Sequence, residues 1–218
     1  MLRRRLAAVL LACPWIMGFS PPSWQDSLLT RVELLALIET LNAELLSHPS
    51  ATVTLERWCA VHGLAQDAKI VAKLEKGAEK PLDAASRLLL VLRPGEPVRY
   101  RHVRLFCGGS LLSEADNWYA PDRLTPEMNR LLDETDTPFG RAIAGLDFRR
   151  ETLSARLLWS PLPEHWEAQA LPPVSQGPIE APEFIIEHRA LLRPVGGLPV
   201  ALVTESYTSA VLGFPLPH

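Results

Sequence analysis

From Ser27 to Leu46 the apolar positions, among them Val32, Leu34, Ile38, Leu41 and Leu45, fall at the i, i+3, i+4 spacing of an amphipathic helix, and His48-Pro49-Ser50 closes it. The next stretch, Ala51 to Cys59 (ATVTLERWC), is rich in β-branched residues and alternates, which predicts a short strand. Residues 60–86 are less patterned. The Ala, Lys and Glu of Lys69 to Lys80 read as a surface helix or a loose crossing, and the apolar run from Ser86 to Leu92 reads as a buried strand.

The clearest pattern follows. Val98 to Cys107 alternates Arg99, Arg101 and Val103 on one face with Tyr100, His102, Arg104 and Phe106 on the other. Gly108-Gly109-Ser110 then separates this run from Leu111 to Tyr119, which is the signature of a β-hairpin. Thr125-Pro126-Glu127 has the N-cap, first-turn proline and acidic first turn of a helix that runs to Glu134. Thr137-Pro138-Phe139 starts a second short helix through Ile143. Strands are predicted at Thr152–Trp159, Glu183–Leu192 and Leu198–Tyr207, the last two joined by Pro194-Val195-Gly196-Gly197. The prolines between Pro161 and Pro182 mark an excursion too long for a turn, either a lid or a floppy insertion.

Sequential hairpins make an antiparallel sheet, and helices grouped between them go to one face, so the predicted class is α+β, with one domain over residues 27–212. The chain has 218 residues, enough for one well-buried core. Its 22 Lys and Arg against 25 Asp and Glu leave a formal charge of −3, which gives no reason to expect nucleic acid as a partner. No Walker-type or dinucleotide-type glycine motif is present.

The amino end departs from this pattern. Met1-Leu2-Arg3-Arg4-Arg5 is basic and Leu6 to Phe19 is apolar, which together have the lengths of an export signal over residues 1–20. Leu10-Leu11-Ala12-Cys13 looks like a lipobox, which would place a lipid anchor on Cys13 and the protein in the periplasm or on a membrane. A simple signal, or a misassigned start with a cytoplasmic protein, are the alternatives. In an oxidising compartment Cys59 and Cys107 could pair, and neither has the neighbouring ligands of a zinc motif.

No Ser or Cys sits in a nucleophile elbow, and the six histidines share no motif. The candidate chemistry is a set of charges on strands that ought to be interior: His102 and Arg104 on the first hairpin, Arg141 after Gly140, and Glu205 in Val203-Thr204-Glu205-Ser206-Tyr207. An arginine in a pocket matches a carboxylate bidentately. Solvated sheet charges are the plain alternative, and Trp118 and Tyr119 read as packing.

The order of Cys107–Pro121, Leu124-Thr125-Pro126-Glu127, Thr137-Pro138-Phe139-Gly140-Arg141, Arg150 and Gly197–Glu205 (GLPVALVTE) resembles the chorismate pyruvate-lyase family. The resemblance implies an antiparallel sheet with helices around an internal pocket for an aromatic or cyclic carboxylate. It also implies the cleavage of chorismate to 4-hydroxybenzoate and pyruvate, a carbon–oxygen lyase reaction that uses no metal or cofactor. By position, the family's glutamate falls on Glu205 and its backbone contact on Pro138-Phe139-Gly140. Its first-strand arginine falls on His102 when counted back without gaps from Cys107, with Arg104 on the same face to take the role. Its second arginine falls on Asn117, which hydrogen-bonds but cannot pair a carboxylate by charge. Two readings follow: a lyase with Glu205 and Arg104 catalytic and His102, Asn117, Phe139, Gly140 and Arg141 binding, or a non-catalytic binder or sensor of small aromatic acids. A scaffold whose pocket is filled by its own Phe139 and Trp118 is a third.

Overall fold

The computed structural model describes residues 24–77 and 79–215, so the predicted export signal, Cys13 and any cleavage site lie outside the described residues. Six strands form one fully antiparallel sheet in the order β1-β2-β3-β6-β5-β4. They are β1 Ile70–Leu74, β2 Arg99–Cys107, β3 Ser110–Tyr119, β4 Phe148–Leu157, β5 Phe184–Pro194 and β6 Ala201–Thr208. The helices are α1 Leu28–Ser47, α2 Ala51–Val61, α3 Ala84–Leu89, α4 Pro126–Glu134 and α5 Phe139–Ala142. The α+β antiparallel class is thus what the molecule adopts.

The predicted long helix is α1, capped by the Ser27 hydroxyl, which accepts from the Thr30 amide. It buries Leu34, Ile38, Leu41 and Leu45 against one face of the sheet. The hairpin forms with Gly108 and Gly109 as its turn, and Gly108 takes φ +55°, a conformation that favours glycine. The helix at Pro126–Glu134 forms with Thr125 as its N-cap, its hydroxyl accepting from the Met128 amide.

Two predicted strands are helices. Ala51–Cys59 belongs to α2, where the Ser50 hydroxyl accepts from the Val53 amide and Thr52, Leu55 and Cys59 form a buried stripe at helical spacing. Burial on one helix face outweighs the β preference of Thr and Val, which depends on a pleated neighbour. Of Ser86–Leu92, Ser86 to Leu89 lie on α3, set by Asp83, whose carboxylate caps the Ser86 amide, and Leu90 to Leu92 leave it. That run is not buried throughout, since Leu88 is exposed. Conversely, the Lys69–Lys80 stretch contains the edge strand β1, with Ile70 and Ala72 inward and Val71 and Lys73 outward.

Helices α1, α2, α4 and α5 cover the inner face, in two apolar clusters. The short α3 packs the other face, over Trp118, Leu191 and Leu202. Cys59 and Cys107 are joined as a disulfide that fastens α2 to the end of β2. The later part of the proline-rich segment is pinned to the start of the described chain. The Ile179 amide donates to Trp24 O at 2.7 Å and the Asp26 amide to Gly177 O at 3.1 Å. Arg31 holds Asp26 at 2.7 Å and donates to the Pro172 and Pro173 carbonyls. The Arg31 hydrogen bond keeps the Asp26 carboxyl well below the usual carboxylate range. Trp24 Nε1 donates to Leu212 O, so both ends of the described chain meet on this side.

β-Bulges break the ladder at three places. Leu112 is extra on β3, Leu153 on β4 and Ile185 on β5.

Candidate functional site

A cavity of about 50 Å³ lies between the inner face of the sheet and the amino ends of α2 and α5. Its apolar walls are Val103 and Leu105 of β2, Ala115 of β3, Leu192 of β5, Val203 of β6, and Phe139 and Phe148. Its polar lining is Asn117, Arg150, Glu205 and the first residues of α2, Ser50 to Thr52.

Strand pairing explains why these side chains meet. Asn117 stands opposite Val203, Glu205 opposite Ala115, and Arg150 opposite Leu192, so alternate residues of four strands converge on one face. Arg150 Nη2 donates to Glu205 Oε2 at 2.5 Å, and the Tyr207 hydroxyl donates to the same oxygen at 3.1 Å. The Arg150 side chain is 7% exposed, and its Nε has no acceptor. Burial works against the charge of Arg150, but the Glu205 carboxylate outweighs it and raises the guanidinium pKa. Burial likewise drives the Tyr207 phenol far above its ordinary value, so it stays a hydrogen-bond donor. Next to Glu205, His188 is fully buried with Nε2 2.8 Å from Asn42 Oδ1. Desolvation lowers its pKa to about 4 and keeps the ring neutral.

The first-turn amides of α2, at Ala51 and Thr52, are not used by the helix itself and carry the positive end of its dipole. Their neighbour in the cavity is Arg150 with its free Nε. Phe139 and Gly140 line the same cavity. The chamber thus holds spare donors beside one carboxylate, Glu205, which Arg150 already engages. Among the described residues no three His, Cys, Asp or Glu side chains are grouped to hold a metal ion.

Asn117, Phe139, Gly140 and Glu205 therefore come together. Arg141 stands outside the cavity, 54% exposed, where its Nη2 lies 3.3 Å from Glu56 Oε2. His102 and Arg104 are corrections: both project from the opposite face. There His102 Nδ1 meets Asp116 Oδ1 at 2.9 Å, alongside Lys80 and Tyr100, and Arg104 Nε meets Glu114 at 2.7 Å. The physical reason is parity, because His102 and Arg104 lie five and three positions from the inward-facing Cys107, an odd offset in each case. The inward arginine of this strand is Arg101, 3% exposed, and it is spent on backbone. Its guanidinium donates to the carbonyls of Leu132, Thr135 and Thr137 at the end of α4. Trp118 also faces away from the cavity, its Nε1 donating to Lys80 O, so it does not fill the chamber. In the sequence Arg150 stands out only within the motif order that carries the family resemblance. Its signal is its place beside Phe148 on an edge strand, two residues apart and so on one face.

No family model matches the chain. It is 54% identical over 200 residues to the uncharacterized protein y4mC of Sinorhizobium fredii (strain NBRC 101917 / NGR234), covering 91% of this chain and 84% of that one. The chain belongs to the y4mC family. Among solved structures, y4mC-family likeness extends to the effector domain of PhnF from Mycobacterium smegmatis, at 13% identity over 74% of this chain and 89% of that one, TM-score 0.46. The C-terminal domain of the histidine utilization repressor from Pseudomonas syringae matches at 15% over 69% and 97%, TM-score 0.42. For the possible transcriptional regulator YydK of Bacillus subtilis the figures are 12%, 68% and 62%, TM-score 0.39. These structural likenesses are too loose to carry a ligand or a role to this chain.

Proposed function

We propose that this y4mC-family protein is a non-catalytic binder of a small carboxylate with an apolar, ring-sized body. One observation carries the reading: Arg150, its side chain 7% exposed and its Nε free, lines the same mainly apolar cavity as the unused amino end of α2. Buried unsatisfied donors call for an acceptor, and an anion satisfies both the guanidinium and the helix end. The apolar walls take the body of the ligand.

The lyase reading loses support on two counts. Asn117 offers no charge to a second carboxylate, and the Oε2 of Glu205 is already held by Arg150 and Tyr207. A carboxyl so engaged is poorly placed to hand a proton to a departing enolpyruvyl group. Export of the protein is part of the same proposal. The basic and apolar leader supports it, as does the buried Cys59–Cys107 disulfide, a bond that persists in oxidising compartments. An alkaline phosphatase fusion to residues 1–25 tests export: activity supports it, and an inactive fusion retained in the cytoplasm overturns it.

Calorimetric titration of the full chain tests the ligand class. Benzoate and 4-hydroxybenzoate should give heat, while benzamide, with the same ring and no charge, should not. Ala115→Met, which fills the chamber from β3, should abolish the heat in a protein that still unfolds cooperatively. Equal heats for benzoate and benzamide would remove the anion argument. Pyruvate released from chorismate would restore the lyase.

A further inference from the structure

We infer that residues 138–147, which carry α5, are the gate of this cavity, and that the Arg141–Glu56 ion pair is its latch. The inference rests on the cavity being the ligand site. At about 50 Å³ the chamber holds a few waters, whereas a dry cavity that admits benzene measures roughly 150 Å³. A ring-sized ligand therefore enters only if a wall moves.

The walls differ in what holds them. Strands β2, β3, β5 and β6 each have a paired neighbour on both sides. Helix α2 is tied to β2 by the disulfide and to the carboxyl end of the chain by Trp58 Nε1, which donates to Val211 O at 2.9 Å. Helix α5 has neither kind of tie. It is a single turn whose amides bond locally, Arg141 and Ala142 to Pro138 O and Ile143 to Phe139 O. At its leading end Arg101 grips the carbonyls of Thr135 and Thr137 from the sheet, which makes that point a fixed joint. At its trailing end Asp147 takes φ +47°, a left-handed reversal that breaks the backbone into β4. Phe139 and Ile143 press inward, edge to face with Tyr119 in the case of Phe139, so the flap closes on its apolar side. Its polar tie to α2 is Arg141 on Glu56, with side chains 54% and 35% exposed.

A latch made equally in the empty and the occupied closed states acts on rates rather than on affinity. Weakening it raises the open fraction, and with it both association and dissociation, while Kd stays fixed. Exposed ion pairs are weak, so the expected change is about two- to fivefold.

The first test needs no ligand. In the full chain, Glu56→Gln and Arg141→Gln should each speed amide hydrogen exchange in residues 139–146 by about two- to fivefold, leaving residues 54–61 unchanged. The charge-swapped pair Glu56→Arg with Arg141→Glu should bring exchange back towards the original rate. Unchanged exchange in 139–146, or faster exchange in 54–61 instead, overturns the latch. Stopped-flow mixing with benzoate then reads the consequence: both rate constants rise together in each single variant. A change in Kd alone would make Arg141 a ligand contact and also overturn it. Failure of the unaltered protein to bind benzoate would instead sink the pocket reading, and the exchange result would still decide whether the flap is latched.

Discussion

The two faces of the sheet carry similar residue types with opposite fates. On the outer face His102, Asp116, Lys80, Arg104 and Glu114 form a chain of ion pairs whose cations are largely open to water at Lys80 and Arg104. On the inner face Arg101, Arg150 and Glu205 are buried, and each is committed: Arg101 to carbonyls, Arg150 and Glu205 to one another. Water reaches the outer cations, Lys80 and Arg104, and replaces a partner lost there. Burial makes the second set indispensable, because nothing else can. A cluster of charges in a sequence therefore says little until its face is known.

The comparison is broken most easily from the inside. Glu205→Gln leaves Arg150 buried beside a neutral amide and should cost about 3 to 5 kcal/mol in urea denaturation, with Arg150→Met added on top recovering most of it. A loss under about 1 kcal/mol would mean that the inner pair behaves like the outer ones.

His188 gives the next largest effect. Its folded-state pKa, about 4, lies below the ordinary 6.5, so the unfolded chain takes up the proton first. Stability from this group is full above about pH 6.5, is lost as pH falls towards about 4, and levels off below that. Between pH 6.5 and 5 the loss should be about 2 kcal/mol, and His188→Gln should flatten that part of the urea-midpoint profile. An unaltered slope in the variant would place the titration elsewhere; the charges nearest the ring are Arg150 and Glu205.

Arg104→Ala, on the outer face, should change stability by less than about 0.5 kcal/mol and leave benzoate binding intact. A tenfold loss of binding would return the site to the face where the sequence first suggested it.

The fold was legible where caps, turns and periodicity agreed: the Ser27-capped α1, the Gly108-Gly109 hairpin and the Thr125-capped α4. It was misread where local preference opposed tertiary burial. Thr52, Val53 and Thr54 look like a strand, but Ser50 and the stripe Thr52, Leu55, Cys59 make them a helix. Of the site, Asn117, Phe139, Gly140 and Glu205 were legible, and the arginine was not. Reckoning from Cys107 by position reached His102, whereas the alternation Arg101, Val103, Leu105, Cys107 was already in the sequence and points inward. Arg150 was harder to see, because its importance comes from β4 pairing with β5 and from Glu205 two strands away, contacts that no local pattern encodes.

The bulge at Leu153 bears on how the protein behaves in a crowd. The sheet is open, and β4 is its long free edge, ten residues whose outer hydrogen-bonding side faces no neighbouring strand among those described. Such an edge invites a second chain to zip onto it. Leu153 interrupts the ladder at its middle, and Arg149, Glu151 and Arg156 stand along it as exposed charges. An incoming strand would lose register at the bulge and meet the charges along the edge, which makes β4 a poor template for a second chain.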